Sequence, residues 1–310
     1  MNNNYGMLEK LPMPPSDKLG WPWTVETLPQ IYFKGYYYPK ISVITPSYNQ
    51  GNFIEETIRS VILQNYPNLE LIIIDGGSTD NTIEILNKYD LWISYWVSEK
   101  DNGQSNAINK GLKIATGQLI GWQNSDDIYF PNAFYEIVKA FNKDRKSSIY
   151  FGHQAKINYK SNITHINYFV PFKLFHLKSY GWNIVNQSAF FNKESKIEII
   201  LDDKLTYAMD LDLFLKAAST DNNFQFINKI IGALRDHENT KSSLFTYDNK
   251  YLEYQYLYIK YFGVKLKKGV SLKRQFPLQS FIAFTRLLIL HIYYGNICPI
   301  IKQKIKTIHL

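Results

Sequence analysis

Leu69-Glu70-Leu71-Ile72-Ile73-Ile74-Asp75-Gly76-Gly77-Ser78-Thr79-Asp80 is the stretch that decides the fold. Its opening run to Ile74 is rich in β-branched and aliphatic residues, as in a strand covered on both faces, and Asp75-Gly76-Gly77 ends it. Ser78 or Asp80 can then cap a helix that carries Ile83 and Leu86. The same sequence of events occurs upstream, where Ile41 to Thr45 form a short strand that Pro46 stops. There Asn52-x-x-Glu55 resembles a helix start, and Ile54, Ile58, Val61 and Ile62 share one face. Downstream, Ser94 to Ser98 and Leu119 to Trp122 are strand-like. Between them Ala107, Ile108, Gly111, Leu112 and Ala115 make a helical stripe that Gly117 ends. Such alternation predicts right-handed crossovers, hence an α/β fold with a mostly parallel, Rossmann-like sheet flanked by helices. Ligands of such sheets gather at the carboxyl ends of the strands. Here those ends are Thr45 to Asn49, Asp75 to Ser78, Glu99 to Gln104 and Asn124 to Asp127.

The rest of the chain divides around this half. Residues 1–40, with Pro12, Pro14, Pro15, Pro22 and Pro29 among Trp and Tyr, predict an irregular arm packed on the body. Residues 41–132 hold the βα units, and 133–250 turn to short, aromatic-rich β-prone runs ending in a helix from Leu205 to Ala217, as an acceptor-side wall would. Residues 251–310 read as a basic, amphipathic helical tail. Of a net charge of +8, the segment from Lys260 onward contributes ten Lys or Arg and no Asp or Glu, leaving about −2 for the remainder. Basicity interleaved with apolar runs suits an anionic membrane surface better than a nucleic-acid groove.

An apolar content of 45% in 310 residues is that of a folded globular chain. The single Cys298 excludes an internal disulfide and a thiolate cluster, and reads as a buried apolar thiol. Met1 to Leu11 lack the basic start and apolar run of a secretory signal, so a cytoplasmic location is expected.

Chemistry concentrates in Asn124-Ser125-Asp126-Asp127. An isolated Asp pair is more often a solvated turn or a helix cap, but this one follows an apolar strand at a ligand-gathering sheet edge. There it can hold a divalent ion against a leaving pyrophosphate. Asp75, at its Gly-Gly turn, can accept from a base N–H or ribose hydroxyl, or simply build an Asx turn.

Four stretches together carry a resemblance: Val43-Ile44-Thr45-Pro46-Ser47-Tyr48-Asn49; Ile74 to Asp80; Asp101-Asn102-Gly103-Gln104 through Ala107-Ile108-Asn109-Lys110-Gly111; and Gly121-Trp122-Gln123-Asn124-Ser125-Asp126-Asp127. In order and spacing they resemble the family 2 glycosyltransferases, inverting enzymes with the A-type nucleotide-sugar-binding fold. The resemblance implies that Thr45, Pro46, Tyr48 and Asn49 line the base pocket and that Asp75 reads the uracil or ribose. It implies that Asp101 and Gln104 flank the nucleotide, with Ser78 and Asn109 in the same donor-binding set. Asp126 is implied to lie toward the ribose, and Asp127 to coordinate Mn²⁺ or Mg²⁺. Ser125 stands where the family's motif has its first acid.

Inversion needs one carboxylate to take the acceptor hydroxyl's proton. Asp210, in Tyr207-Ala208-Met209-Asp210-Leu211-Asp212, resembles the family's acidic helix start, with Asp212 as competitor. Both are also explained as first-turn acids answering the helix dipole. His237, flanked by Arg235 and Lys241, resembles the family's late histidine, either a third metal ligand or a structural imidazole, while His153, His165 and His176 read as structural. The implied partners are a nucleotide-sugar donor, a UDP-sugar, and a glycan or lipid-linked acceptor in bacterial surface polysaccharide synthesis. Nucleic acid is not among them. The alternatives are a nucleotidyltransferase, which would need a Gly-rich phosphate loop after the first strand, and a non-catalytic sugar-nucleotide-binding protein. Residues 265–310 are expected either to lie on a membrane surface or to pack as a helical hairpin on the body or on a second copy in a homodimer.

Overall fold

The structure, a computed structural model, describes residues 6–179, 184–220, 223–238, 240 and 246–308. The first half alternates as the periodicities predict: β1 Ile41–Ser47, α1 Ile54–Ile62, β2 Leu69–Asp75, α2 Thr82–Lys88, β3 Tyr95–Ser98, α3 Gln104–Ile114 and β4 Leu119–Trp122. β1 pairs in parallel with both β2 and β4, and β3 joins the far side of β2. Ser47 lies opposite Asp75, and Ile44 opposite Trp122, so three strand ends finish side by side.

Beyond β4 the sheet becomes mixed. It runs on through β8 (Ala189–Asn192), β6 (Ile149–Ile157), β9 (Phe224–Arg235) and β5 (Ile128–Tyr129), with β7 (Ile163–Asn167) beside β6. β8 is antiparallel to both β4 and β6, β5 is antiparallel to β9, and β6 and β9 are parallel. The α/β class thus holds, with parallel pairing confined to the first half and to β6 with β9.

Strand alternation explains the continuous apolar runs. Ile72 and Ile74 of β2 face one layer with Trp122, Phe191 and Phe214, while Leu71 and Ile73 face the other with Val61, Leu86 and Phe134. The first layer lies under α3, α5 (Leu174–Ser179) and α6 (Met209–Thr220), the second under α1, α2 and α4 (Ala133–Lys143). Each such side chain contributes roughly 1.5–3 kcal/mol on burial.

Residues 6–40 are irregular, with short 3-10 turns at Leu8–Lys10 and Pro29–Ile31. Arg59 of α1, fully buried, holds this arm by donating to the carbonyls of Pro12, Pro22 and Trp23 and to the Tyr89 hydroxyl. Buried carbonyls need donors, and a guanidinium offers five. Trp21 adds a bond from Nε1 to the carbonyl of Tyr129 at 2.8 Å.

Several local expectations shift. α1 starts at Ile54 without a side-chain cap. Asp80, rather than Ser78, serves the start of α2, accepting from Thr82 N and also from Gly51 N. The helix expected from Leu205 begins at Met209 because a glutamate from further along the chain holds the preceding amides. The tail is helical, with α7 Tyr247–Phe262, α8 Leu272–Gln275, α9 Pro277–Tyr293 and α10 Ile297–Ile308. Cys298, expected to be buried, is exposed in the first turn of α10.

Glu70 ties β2 to its neighbours, accepting from Lys40 Nζ at 2.7 Å, from Ser42 Oγ, and from Thr116 N at 2.8 Å and Oγ1 at 2.7 Å. Burial opposes ionisation, but those hydrogen bonds outweigh it and hold the carboxyl at about 2 against an ordinary 4.5. With the folded value below the unfolded one, the stabilisation is complete above about pH 5 and is lost as pH falls toward 2. Glu70→Gln should therefore cost ~1–2 kcal/mol at pH 7, allowing for the half-exposed Lys40. It should also flatten the acid limb of the stability curve in urea titrations between those limits.

Candidate functional site

β4 ends at Trp122, and the chain reverses through Asn124 to Asp127 before entering β5, closed by a bond from Asp127 N to the carbonyl of Asn124 at 3.1 Å. The two aspartates of this turn point opposite ways. Asp127 is fully buried. Its Oδ1 accepts from Arg235 N at 2.8 Å, and its Oδ2 from Asn124 Nδ2 at 2.9 Å and Gln187 Nε2 at 3.0 Å. Burial, then the neighbouring Asp126 charge, pushes its carboxyl well above the usual range despite those bonds. Asp126 turns the other way, its side chain 17% exposed and its Oδ2 3.2 Å from Nε2 of His237, a ring 8% exposed. The His237 ring rests on Phe53 with centroids 4.7 Å apart. Asp127, the residue expected to take the metal, is thus turned inward with three donors on its carboxylate.

Arg235, the last residue of β9, organises the turn. Its side chain is fully buried and its Nε donates to the Asp126 carbonyl at 2.8 Å. Nη1 donates to the carbonyls of Asn158 and Tyr159 and to Ser161 Oγ, and Nη2 pairs with Glu56 Oε2 of α1 at 2.9 Å. The guanidinium also lies over the Phe53 ring, 4.9 Å from its centroid.

Along the edge of β1 and β2, Asn49 adopts φ 53°, a left-handed conformation tolerated by Asn. Its N–H donates to Ser78 Oγ at 2.7 Å and its Oδ1 accepts from Thr79 N at 2.9 Å, fastening the two loops. Asp75, expected to read the base or ribose, is fully buried and accepts from Gly77 N, Ser78 N, Ser78 Oγ and Ser98 Oγ. With its acceptor sites filled from within the loop, it builds the floor of the cleft. Thr45 and Pro46 are buried, whereas Tyr48 is 61% exposed. Asp101 lies over Gly76, where a Cβ would come within 2.9 Å of its carboxylate. Gln104 Nε2 and Trp122 Nε1 both donate to Asn124 Oδ1, at 2.7 and 2.9 Å. Asn109 does not join this edge. It is buried and bonded to Leu201 N and O and to Asp203, because it faces the α6 side of α3.

The first turn of α6 sits next to the same edge through α3, since Ser105 Oγ donates to the carbonyl of Leu205 at 3.0 Å. Asp210 is half-buried, with Oδ1 accepting from Leu211 N at 2.8 Å. Asp212 is buried and accepts from Lys260 Nζ at 2.7 Å and Tyr261 OH at 2.8 Å, both from α7. Glu253 of α7 accepts from the backbone N–H groups of Thr206, Tyr207 and Ala208 at 3.0, 2.8 and 2.7 Å, the amides leading into α6.

Among the described residues, no group of three or more His, Cys, Asp or Glu could by itself hold a metal ion. Lys241, expected to flank His237, lies outside the described residues. Glu56, Gln187 and Glu253 are the contributors that motif reading missed, and Arg235 entered it only as a flank of His237. Glu56 carries no signal of its own in the sequence, since Glu55 and Arg59 stand beside it in α1.

The family model for glycosyl transferase family 2 matches residues 42–198, just over half of the chain. An uncharacterized glycosyltransferase of Rickettsia typhi is 32% identical over 195 residues, 58% of this chain and 59% of that protein. A putative teichuronic acid biosynthesis glycosyltransferase, TuaG of Bacillus subtilis, is 44% identical over 92 residues, 29% of this chain and 36% of its own. The chain therefore spans well under two thirds of the length of these curated relatives. Among solved structures, TarS 1-349 of S. aureus in complex with UDP-GlcNAc superposes with TM-score 0.57 at 16% identity, covering 82% of this chain and 73% of that one. A mannosyltransferase of Pyrobaculum calidifontis in complex with GDP-Man and Mn²⁺ gives TM-score 0.54 at 18% identity, covering 80% and 70%. These two similarities bear on the fold.

Arg235→Met should cost ~3–5 kcal/mol in urea unfolding, since it strands the buried Glu56 carboxylate and the Asp126 carbonyl. The double variant Arg235→Met/Glu56→Met should recover part of that loss. Additive losses would mean that the two side chains do not act as a pair.

Proposed function

The chain belongs to glycosyl transferase family 2, and from that premise we propose that it moves one sugar, with inversion, from a UDP-sugar to a glycan or lipid-linked acceptor in cytoplasmic-side assembly of a surface polysaccharide. The observation that carries this reading is the partly buried pair of Asp126 and His237, 3.2 Å apart at the carboxyl edge of the sheet. The structural neighbours with UDP-GlcNAc and with GDP-Man and Mn²⁺ support a nucleotide-sugar donor and a divalent ion. Similarity to TuaG, a putative teichuronic acid biosynthesis glycosyltransferase, supports a polysaccharide context.

One carboxylate oxygen of Asp126 and one imidazole nitrogen of His237 are donors that would suit Mn²⁺ or Mg²⁺. Such an ion, when bound, neutralises the charge that grows on the departing diphosphate. The protein's own groups divide the other tasks. Asp126 and His237 hold the ion. Asp127, kept inside by Arg235, Asn124 and Gln187, fixes the direction in which Asp126 points. Thr45, Pro46, Tyr48, Asn49, Asp101 and Gln104 line the nucleotide cleft over the floor that Asp75 and Ser78 build. Asp210 takes the acceptor hydroxyl's proton as that oxygen attacks the anomeric carbon from the face opposite the leaving group. Asp212, bonded to Lys260 and Tyr261, is engaged elsewhere.

Asp126→Asn should weaken Mn²⁺-dependent UDP binding at least tenfold by calorimetry while leaving thermal unfolding near the parent's. Asp127→Asn, which sets an amide against three donors, should instead lower the unfolding temperature. The opposite pattern would return the metal to Asp127. Asp210→Asn should bind donor normally and lose roughly 10²–10⁴ in turnover, and near-normal turnover would remove Asp210 as the base. Glu253→Gln should lower kcat with little change in donor affinity, because it loosens only the approach to α6.

A further inference from the structure

We propose that the outer face of α9 is a docking surface for an anionic lipid bilayer. The helix is seated on the body by its polar and small residues. Ser280 Oγ donates to the carbonyl of Ser179 at 2.6 Å, and Ala283 is fully buried. Arg286 Nη1 donates to the carbonyl of Pro171 at 3.2 Å and lies 3.0 Å from His176 Nε2. That cation, after burial itself, holds the His176 ring down at about 4, so the imidazole accepts as a neutral group. Helices of water-soluble proteins normally do the reverse, burying the apolar stripe. Here the apolar stripe is outside: Leu278, Phe281, Ile282, Leu288, Ile289 and Ile292 are 41 to 68% exposed. Their spacings of three, four and seven residues place them on one face, with Thr285 between the two groups. A contiguous row of large apolar side chains on a surface marks an interaction site.

Charge selects the occupant. From Lys260 to the end the chain carries ten basic and no acidic residues. Lys265, Lys267, Lys273 and Arg274, all exposed, come immediately before α9. A second copy on this face would bring two such segments together and be opposed by like charge. An anionic headgroup layer would instead be attracted by the basic residues while the apolar row enters the interface. No helix among the described residues is long and apolar enough to cross a membrane, so the contact is with one leaflet. The side chains of Lys302, Lys304 and Lys306, the basic group after the apolar run, lie outside the described residues.

The test is flotation of the full chain with phosphatidylglycerol-containing and pure phosphatidylcholine vesicles. It compares the parent with Phe281→Ser/Ile289→Ser and with Lys265→Gln/Lys267→Gln/Arg274→Gln. We expect salt-sensitive flotation with the anionic vesicles only, reduced at least tenfold by the apolar pair and several-fold by the charge variant, with unchanged thermal unfolding in both. Equal flotation of parent and apolar pair overturns the proposal. So does absence of flotation together with a sedimenting dimer that the apolar pair converts to monomer, which would assign the face to a second copy.

Discussion

A single guanidinium, fully buried, sets the geometry on which the site depends. Arg235 ends β9 and reaches three separate pieces of chain: the acidic turn after β4, the loop at 158–161, and Glu56 inside α1. An arginine withdrawn from water is tolerated only when its donors and charge are matched. Here the Nε, Nη1 and Nη2 groups all have partners, and one carboxylate balances the charge. Breaking such an arrangement is far costlier than its net contribution suggests, so the turn is held in one conformation rather than a family of them.

That constraint explains why two chemically identical neighbours differ. With Arg235 N and Gln187 drawing Asp127 inward and Arg235 Nε holding the Asp126 carbonyl, the Asp126 side chain turns away from Asp127. Phe53 then supports His237 beside it. The partly buried carboxylate and imidazole are therefore positioned by a buried network, which keeps the pair in place. Pre-set geometry of this kind avoids ordering costs at the moment of binding.

The first half of the fold was legible because its strands and helices are local in sequence, and Leu69 to Asp80 alone announces a strand, a turn and a helix. The order β8, β6, β9, β5 was not legible, since it depends on pairings between segments about forty to a hundred residues apart that no short periodicity encodes. Within the site, residue types were readable and directions were not. Asp75 and Asn109 look like ligand-binding groups in a motif, yet the structure fills their hydrogen-bonding capacity from Ser78, Ser98, Leu201 and Asp203. Cys298 has the same lesson in reverse, an apolar thiol left outside because α10 follows α9 at the surface. Burial is decided by what the rest of the chain places opposite a residue.

The tail shows how far this dependence extends. The family match stops at residue 198, yet α7, from 247 onward, supplies Glu253 to the amides preceding α6 and Lys260 and Tyr261 to Asp212. One acid of α6 is thereby bonded inside while the other stays half-buried at the helix start, so the difference between Asp212 and Asp210 comes from a helix that the shared motifs do not include. Leu257 of α7 completes the same apolar layer that holds Phe214 of α6. A segment that reads in composition as an appendage is, in packing, part of the wall that carries Asp210 and Asp212.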